Sequence, residues 1–155
     1  MFILKILVGV LSLYASYKIA KIQAVKLKEV YYFWDSVCIA CDMLINDLSY
    51  KKREVKAVLN VDYPSETFAY IMRDYLFGKE IVLPNFLSDE NKIKVESFIL
   101  SIGKSDSETQ KNSIISYKNE FIKIKEESKI LFSKKYQITI KIGLLVGLML
   151  FVMVM

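Results

Sequence analysis

The chain has no histidine, two cysteines, two prolines, five glycines and one tryptophan among its 155 residues. With no histidine, a His-based triad and a zinc site with His ligands are both excluded. Two cysteines cannot build a disulfide scaffold, and they suit a reducing compartment. A glycine-rich phosphate loop is also missing, since Gly9, Gly143 and Gly147 lie in apolar runs and Gly78 and Gly103 stand alone. Neither Gly nor Pro interrupts residues 10–62, and neither returns between Gly103 and Gly143. The chain ends also lack acids: all 17 lie within 29–133, together with 14 of the 22 basic residues, a balance of −3. The net +5 therefore comes from eight lysines outside that range, Lys5, Lys18, Lys21, Lys26, Lys28, Lys134, Lys135 and Lys141. A basic protein usually raises nucleic acid as a partner, but this distribution argues against it.

What the ends do contain is apolar. Phe2–Ala20 reads FILKILVGVLSLYASYKIA, and Ile142–Met155 carries no charge at all. Crossing a hydrocarbon core takes about 20 apolar residues. The first run qualifies, and the second does if it starts at Ile138 with Lys141 snorkelling to the headgroups. A signal peptide would need a small-x-small site after the first run, and Ala15-Ser16-Tyr17-Lys18 is a poor one, so an uncleaved anchor is expected. The lysines flanking the spans set their orientation. Lys18, Lys21, Lys26 and Lys28 follow the first, Lys134, Lys135 and Lys141 lead into the second, and only Lys5 lies outside. By the positive-inside bias the middle of the chain is cytoplasmic.

The middle reads as helices. Leu27, Val30, Trp34, Val37, Cys41, Leu44 and Leu48 recur at spacings of 3 and 4, three heptads of an apolar seam. An uninterrupted helix from Phe2 to Leu48 would be roughly 70 Å long. Lys51-Lys52-Arg53 marks a turn before a short helix at 54–60. Pro64 fits the first turn of the next helix, with Phe68, Ile71, Met72 and Tyr75 on one face and Gly78 as its stop. Ser88 caps another, with Asp89 and Glu90 in its first turn, a stripe of Val95, Phe98, Ile99 and Ile102, and Gly103 at its end. Ser105-x-x-Glu108 has the capping-box spacing that opens the last helix, with Ile114, Phe121, Ile124 and Leu131 directed inward. The fold class is thus all-α: an antiparallel helical bundle over 21–137, flanked by transmembrane anchors over 1–20 and 138–155.

Candidates for chemistry are few. Cys38-x-x-Cys41 lacks the βαβ context of a redox pair and the further ligands of a zinc site, so both cysteines read as small buried hydrophobes. Adjacent carboxylates such as Asp89-Glu90 and Glu126-Glu127 cannot converge on one point and read as solvated faces. Tyr31-Tyr32-Phe33-Trp34 belongs to the core or to a partner surface. No enzyme activity and no cofactor is expected. In the spans, Gly143-x-x-x-Gly147 and the small face Gly9, Ser12, Ser16 and Ala20 would let helices approach closely, within the chain or against a partner's span. A second copy of the chain is one such partner.

Residues 102–110, Ile-Gly-Lys-Ser-Asp-Ser-Glu-Thr-Gln, resemble the Leu-Gly-x-Ser-Asp-x-Glu-x-Gln stretch of the stage III sporulation protein AB family, with Gly103, Ser105, Asp106, Glu108 and Gln110 matching by position. The two-anchor layout is similar as well. One departure is that the family's extra acidic, Trp-containing helix is missing or shortened here, Gly78 leading within about a dozen residues to Ser88. The resemblance implies a membrane protein of endospore formers, in the mother-cell membrane around the forespore. Its cytoplasmic domain would be similar to those of the platform protein of type II secretion and type IV pilus machines. As a non-catalytic scaffold, it would dock a cytoplasmic ATPase to the membrane proteins of the sporulation channel, with Gly103–Gln110 either contacting a partner or only joining two helices. A membrane-bound adaptor or sensor for another cytoplasmic partner is the alternative reading.

Overall fold

A computed structural model describes residues 2–48 and 58–154. Among the described residues there is no strand, and the helices are α1 (Phe2–Asn46), α2 (Glu66–Leu76), α3 (Asp89–Ser101) and α4 (Ser107–Val154). The Lys51-Lys52-Arg53 turn lies outside them, as does most of the expected helix at 54–60, of which 58–60 are described and 58–59 are helical. The chain forms two compact units, Val30–Glu127 and the pair of segments Met1–Glu29 and Ser128–Met155. With no Pro in either, and with Gly9, Gly143 and Gly147 carried inside them, α1 and α4 run for 45 and 48 residues and contribute to both units.

The Val30–Glu127 unit is built around the α1 seam. Trp34, Val37, Cys41 and Leu44 are buried, Phe33, Cys38 and Ala40 join them, and Val30 and Leu48 pack at the edge. Phe68, Ile71 and Met72 of α2 and Val95, Phe98 and Ile99 of α3 are buried in the same core, as are Ile114 and Phe121 of α4. Aromatic rings link the elements. Phe33 stands edge-on to Phe68 and Phe86, while Phe121 lies 5.5 Å from Trp34 and 5.6 Å from Phe98 between ring centroids. Such pairs contribute about 0.5–1.5 kcal/mol each beyond the area they bury. Two ion pairs set the register of α1 against α4: Asp35 with Lys125 at 2.9 Å, and Asp42 with Lys118. The contacts advance seven residues along α1 while retreating seven along α4, so the two helices run antiparallel in this unit.

Helix ends follow capping chemistry, with three corrections to the sequence reading. Ser88 caps α3 as expected, accepting from the Asn91 N–H at 3.3 Å. Pro64, however, is not in the first turn of α2. Ser65 is the N-cap, its hydroxyl accepting from the Phe68 N–H at 3.2 Å, and Pro64 stands before it. The last helix is opened by Asp106 and not by Ser105: the Asp106 carboxylate accepts from the Thr109 N–H at 3.1 Å, and its carbonyl accepts from the Gln110 N–H at 2.9 Å. A carboxylate at this end also meets the positive pole of the helix, an advantage serine lacks. Leu131 is not inward-facing but 47 % exposed, because it lies beyond Glu127, where the Val30–Glu127 unit ends. Gly78 and Gly103 do take positive φ, +70° and +80°, as helix stops.

Candidate functional sites

The 103–110 junction is the first candidate. The chain leaves α3 through Ile102, which is buried and whose carbonyl accepts from the Tyr75 hydroxyl at 3.2 Å. Gly103 then reverses the backbone at φ +80°, a conformation that costs any other residue, although its side-chain position faces open space. Ser105, Asp106 and Glu108 are exposed, and Ser107 donates to the Leu48 carbonyl at 3.4 Å. The Asp106 carboxyl is held below its ordinary pKa, chiefly by the Thr109 backbone N–H. Gln110 points the other way. It is buried, and its Nε2 has no hydrogen-bond partner among the described residues. The five matching residues therefore divide into a turn (Gly103), a cap (Asp106), two exposed polar groups (Ser105, Glu108) and one buried amide (Gln110).

The two cysteines are free and buried. Burial pushes the Cys38 thiol up to about 11 and Cys41 higher still. Burial thus favours the neutral thiol of both at physiological pH, which makes them poor nucleophiles.

The second candidate is the helix pair of the Met1–Glu29 and Ser128–Met155 unit. A methyl group added at Gly143 would strike the Ala20 side chain and lie 3.2 Å from the Ser16 carbonyl. One at Gly147 would lie 3.2 Å from both the Leu13 Cα and the Ser16 Cβ, and one at Gly9 would meet the Phe151 ring at 2.6 Å. Each small residue thus admits a neighbour that a larger one would displace. The Ser12 hydroxyl donates to the Gly9 carbonyl at 2.8 Å and stays within its own helix. The outer surface is apolar and exposed, including Leu7, Leu11, Ile19 and Ile22 on α1 and Ile142, Leu145, Leu148 and Met149 on α4. By length and composition α4 can cross a membrane, its most apolar stretch having a mean hydropathy of 1.9 and only 6 % of its residues buried. Lys18, Lys21, Lys26, Lys28, Lys134, Lys135 and Lys141 are all exposed, and Lys18 lies over the Tyr14 ring.

Two polar features were not anticipated from the sequence. Ser36, fully buried on α1, donates to the Tyr32 carbonyl and accepts from the Ser65 N–H at 2.9 Å, which ties the α2 cap to α1. The Asp35–Lys125 and Asp42–Lys118 pairs were legible in principle, as two acids and two lysines each seven residues apart. Among the described residues there is no cluster of three or more side chains able to hold a metal. Comparisons with family models, curated proteins and solved structures return no match for the chain.

Proposed function

We propose that the chain is a membrane-anchored, non-catalytic scaffold: a cytoplasmic antiparallel helical bundle carried on two transmembrane helices. One observation carries this reading. Along the single uninterrupted helix α4, buried core positions at Ile114 and Phe121 give way to an exposed apolar surface from Ile138 to Met153. Contiguous exposed apolar surface of this kind is unstable in water and suits lipid. The apolar face of α1 at Leu7–Ile22 supports a second span beside it. Two spans leave both termini on one side and residues 21–137 on the other, and the flanking lysines favour the cytoplasm for the latter.

The sporulation assignment rests on the 102–110 resemblance and the two-anchor layout. In that role the domain docks the cytoplasmic ATPase of the sporulation channel to its membrane proteins, and the exposed Ser105 and Glu108 are the residues offered to a partner. The test is genetic and biochemical. A strain lacking the chain should form few heat-resistant spores, and the solubilised protein from sporulating cells should retain the channel ATPase. Normal sporulation without the chain would remove this role and leave the adaptor reading.

A further inference from the structure

The helix pair of the Met1–Glu29 and Ser128–Met155 unit carries an open groove of about 300 Å³. Its floor is the close contact between Ala20 and Gly143, and its apolar walls are Ile19, Ile142 and Val146. Ser16 lies beside Val146 at one end, and two polar residues, Gln23 and Thr139, line the other. The groove is apolar along Ile19, Ile142 and Val146, and its more polar end faces in the direction of Val30 on α1 and of Glu127 on α4. Continuing each wall by one heptad in that direction, about 10 Å of helix, reaches Lys26 beyond Ile19 and Lys135 beyond Ile142. Both lysines are exposed. The unit as a whole contains nine lysines and a single acid, Glu29.

We propose that this groove binds one anionic phospholipid, its phosphate held between Lys26 and Lys135 and an acyl chain lying along Ile19, Ile142 and Val146. The inference rests on the membrane-spanning reading above. Apolar walls fit a hydrocarbon chain, Gln23 and Thr139 can hydrogen-bond the ester region, and two cations at the polar end complement a phosphate. A zwitterionic headgroup presents the same phosphate with a compensating ammonium, so the charge pair selects the anionic lipid.

The experiment uses the full-length protein in detergent, titrated with phosphatidylglycerol and with phosphatidylcholine of the same acyl chains, and reads lipid retained by native mass spectrometry. Phosphatidylglycerol should bind the tighter. A Lys26→Gln/Lys135→Gln double variant should lose about 5- to 30-fold of that affinity, taking roughly fivefold per lysine near an anionic surface. Lys21→Gln/Lys134→Gln removes the same charge from positions about 140° and 100° around their helices from Lys26 and Lys135, and should leave binding within twofold. Equal binding of the two lipids, equal loss in both double variants, or displacement of the lipid by free glycerol phosphate would each overturn the proposal. Alkaline carbonate extraction of membranes separates the two levels. A protein that stays in the pellet yet shows no lipid preference refutes the lipid site alone, whereas a protein released to the supernatant refutes the spanning reading and the site with it.

Discussion

Phe121 is the residue on which the Val30–Glu127 core converges, in ring contact with Trp34, Phe98 and Tyr117 and fully buried. Truncating it leaves a cavity bounded by three other aromatic rings, so Phe121→Ala should destabilise the domain by about 3–5 kcal/mol. Urea unfolding followed by Trp34 fluorescence measures this, with Ile130→Ala, at a position 52 % exposed, as a control expected within about 0.5 kcal/mol of the parent. The cysteines make a second test at this scale. Their raised thiol pKa values keep the reactive thiolate scarce, so iodoacetamide should leave Cys38 and Cys41 unmodified in the native protein at pH 8 and alkylate both after denaturation. Rapid native alkylation would return the C-x-x-C pair to consideration as chemistry. Residue types of strong preference were readable in advance, such as the heptad apolar positions of α1 and the Ser88 cap. Ser36 was not, because a serine within an apolar stretch gives no sign of which distant N–H it will satisfy.

At the scale of elements, α1 and α4 follow from what the sequence leaves out. No Gly or Pro falls between Gly9 and the end of α1 at Asn46, or between the start of α4 and Gly143, and the apolar runs carry both helices through Gly9, Gly143 and Gly147. Their boundaries were less readable: Ser105, Asp106 and Ser107 are all competent caps, and only the fold decides that Asp106 accepts the Thr109 N–H. Leu131 shows a similar limit, since helical spacing says which face a residue occupies but not where the neighbouring helices end. The close approach of the helix pair is directly testable. With Cys38 and Cys41 replaced by Ala, a Ser16→Cys/Gly147→Cys variant should form an intrachain disulfide on oxidation, because the two Cβ positions lie 3.2 Å apart and a small outward shift brings them to the roughly 3.5–4.5 Å a disulfide takes. Tyr14→Cys/Gly147→Cys, from the exposed side of α1, should not. Gly143→Leu added to the Ser16→Cys/Gly147→Cys variant should abolish the crosslink by driving the helices apart at Ala20.

At the scale of the whole molecule, the distribution of charge carries more information than its total. A protein of net +5 is a mildly acidic middle between two lysine-rich, apolar ends, and the exposed apolar length of α4 asks for lipid where the lysines ask for anionic headgroups. The central claim is a cytoplasmic domain held from both ends in one membrane, and the measurement that tests it most directly is protease accessibility. Protease added outside intact spheroplasts should leave the domain whole, and protease added to inverted membrane vesicles should digest it. Digestion from outside intact spheroplasts would reverse the topology and remove a cytoplasmic ATPase as the partner.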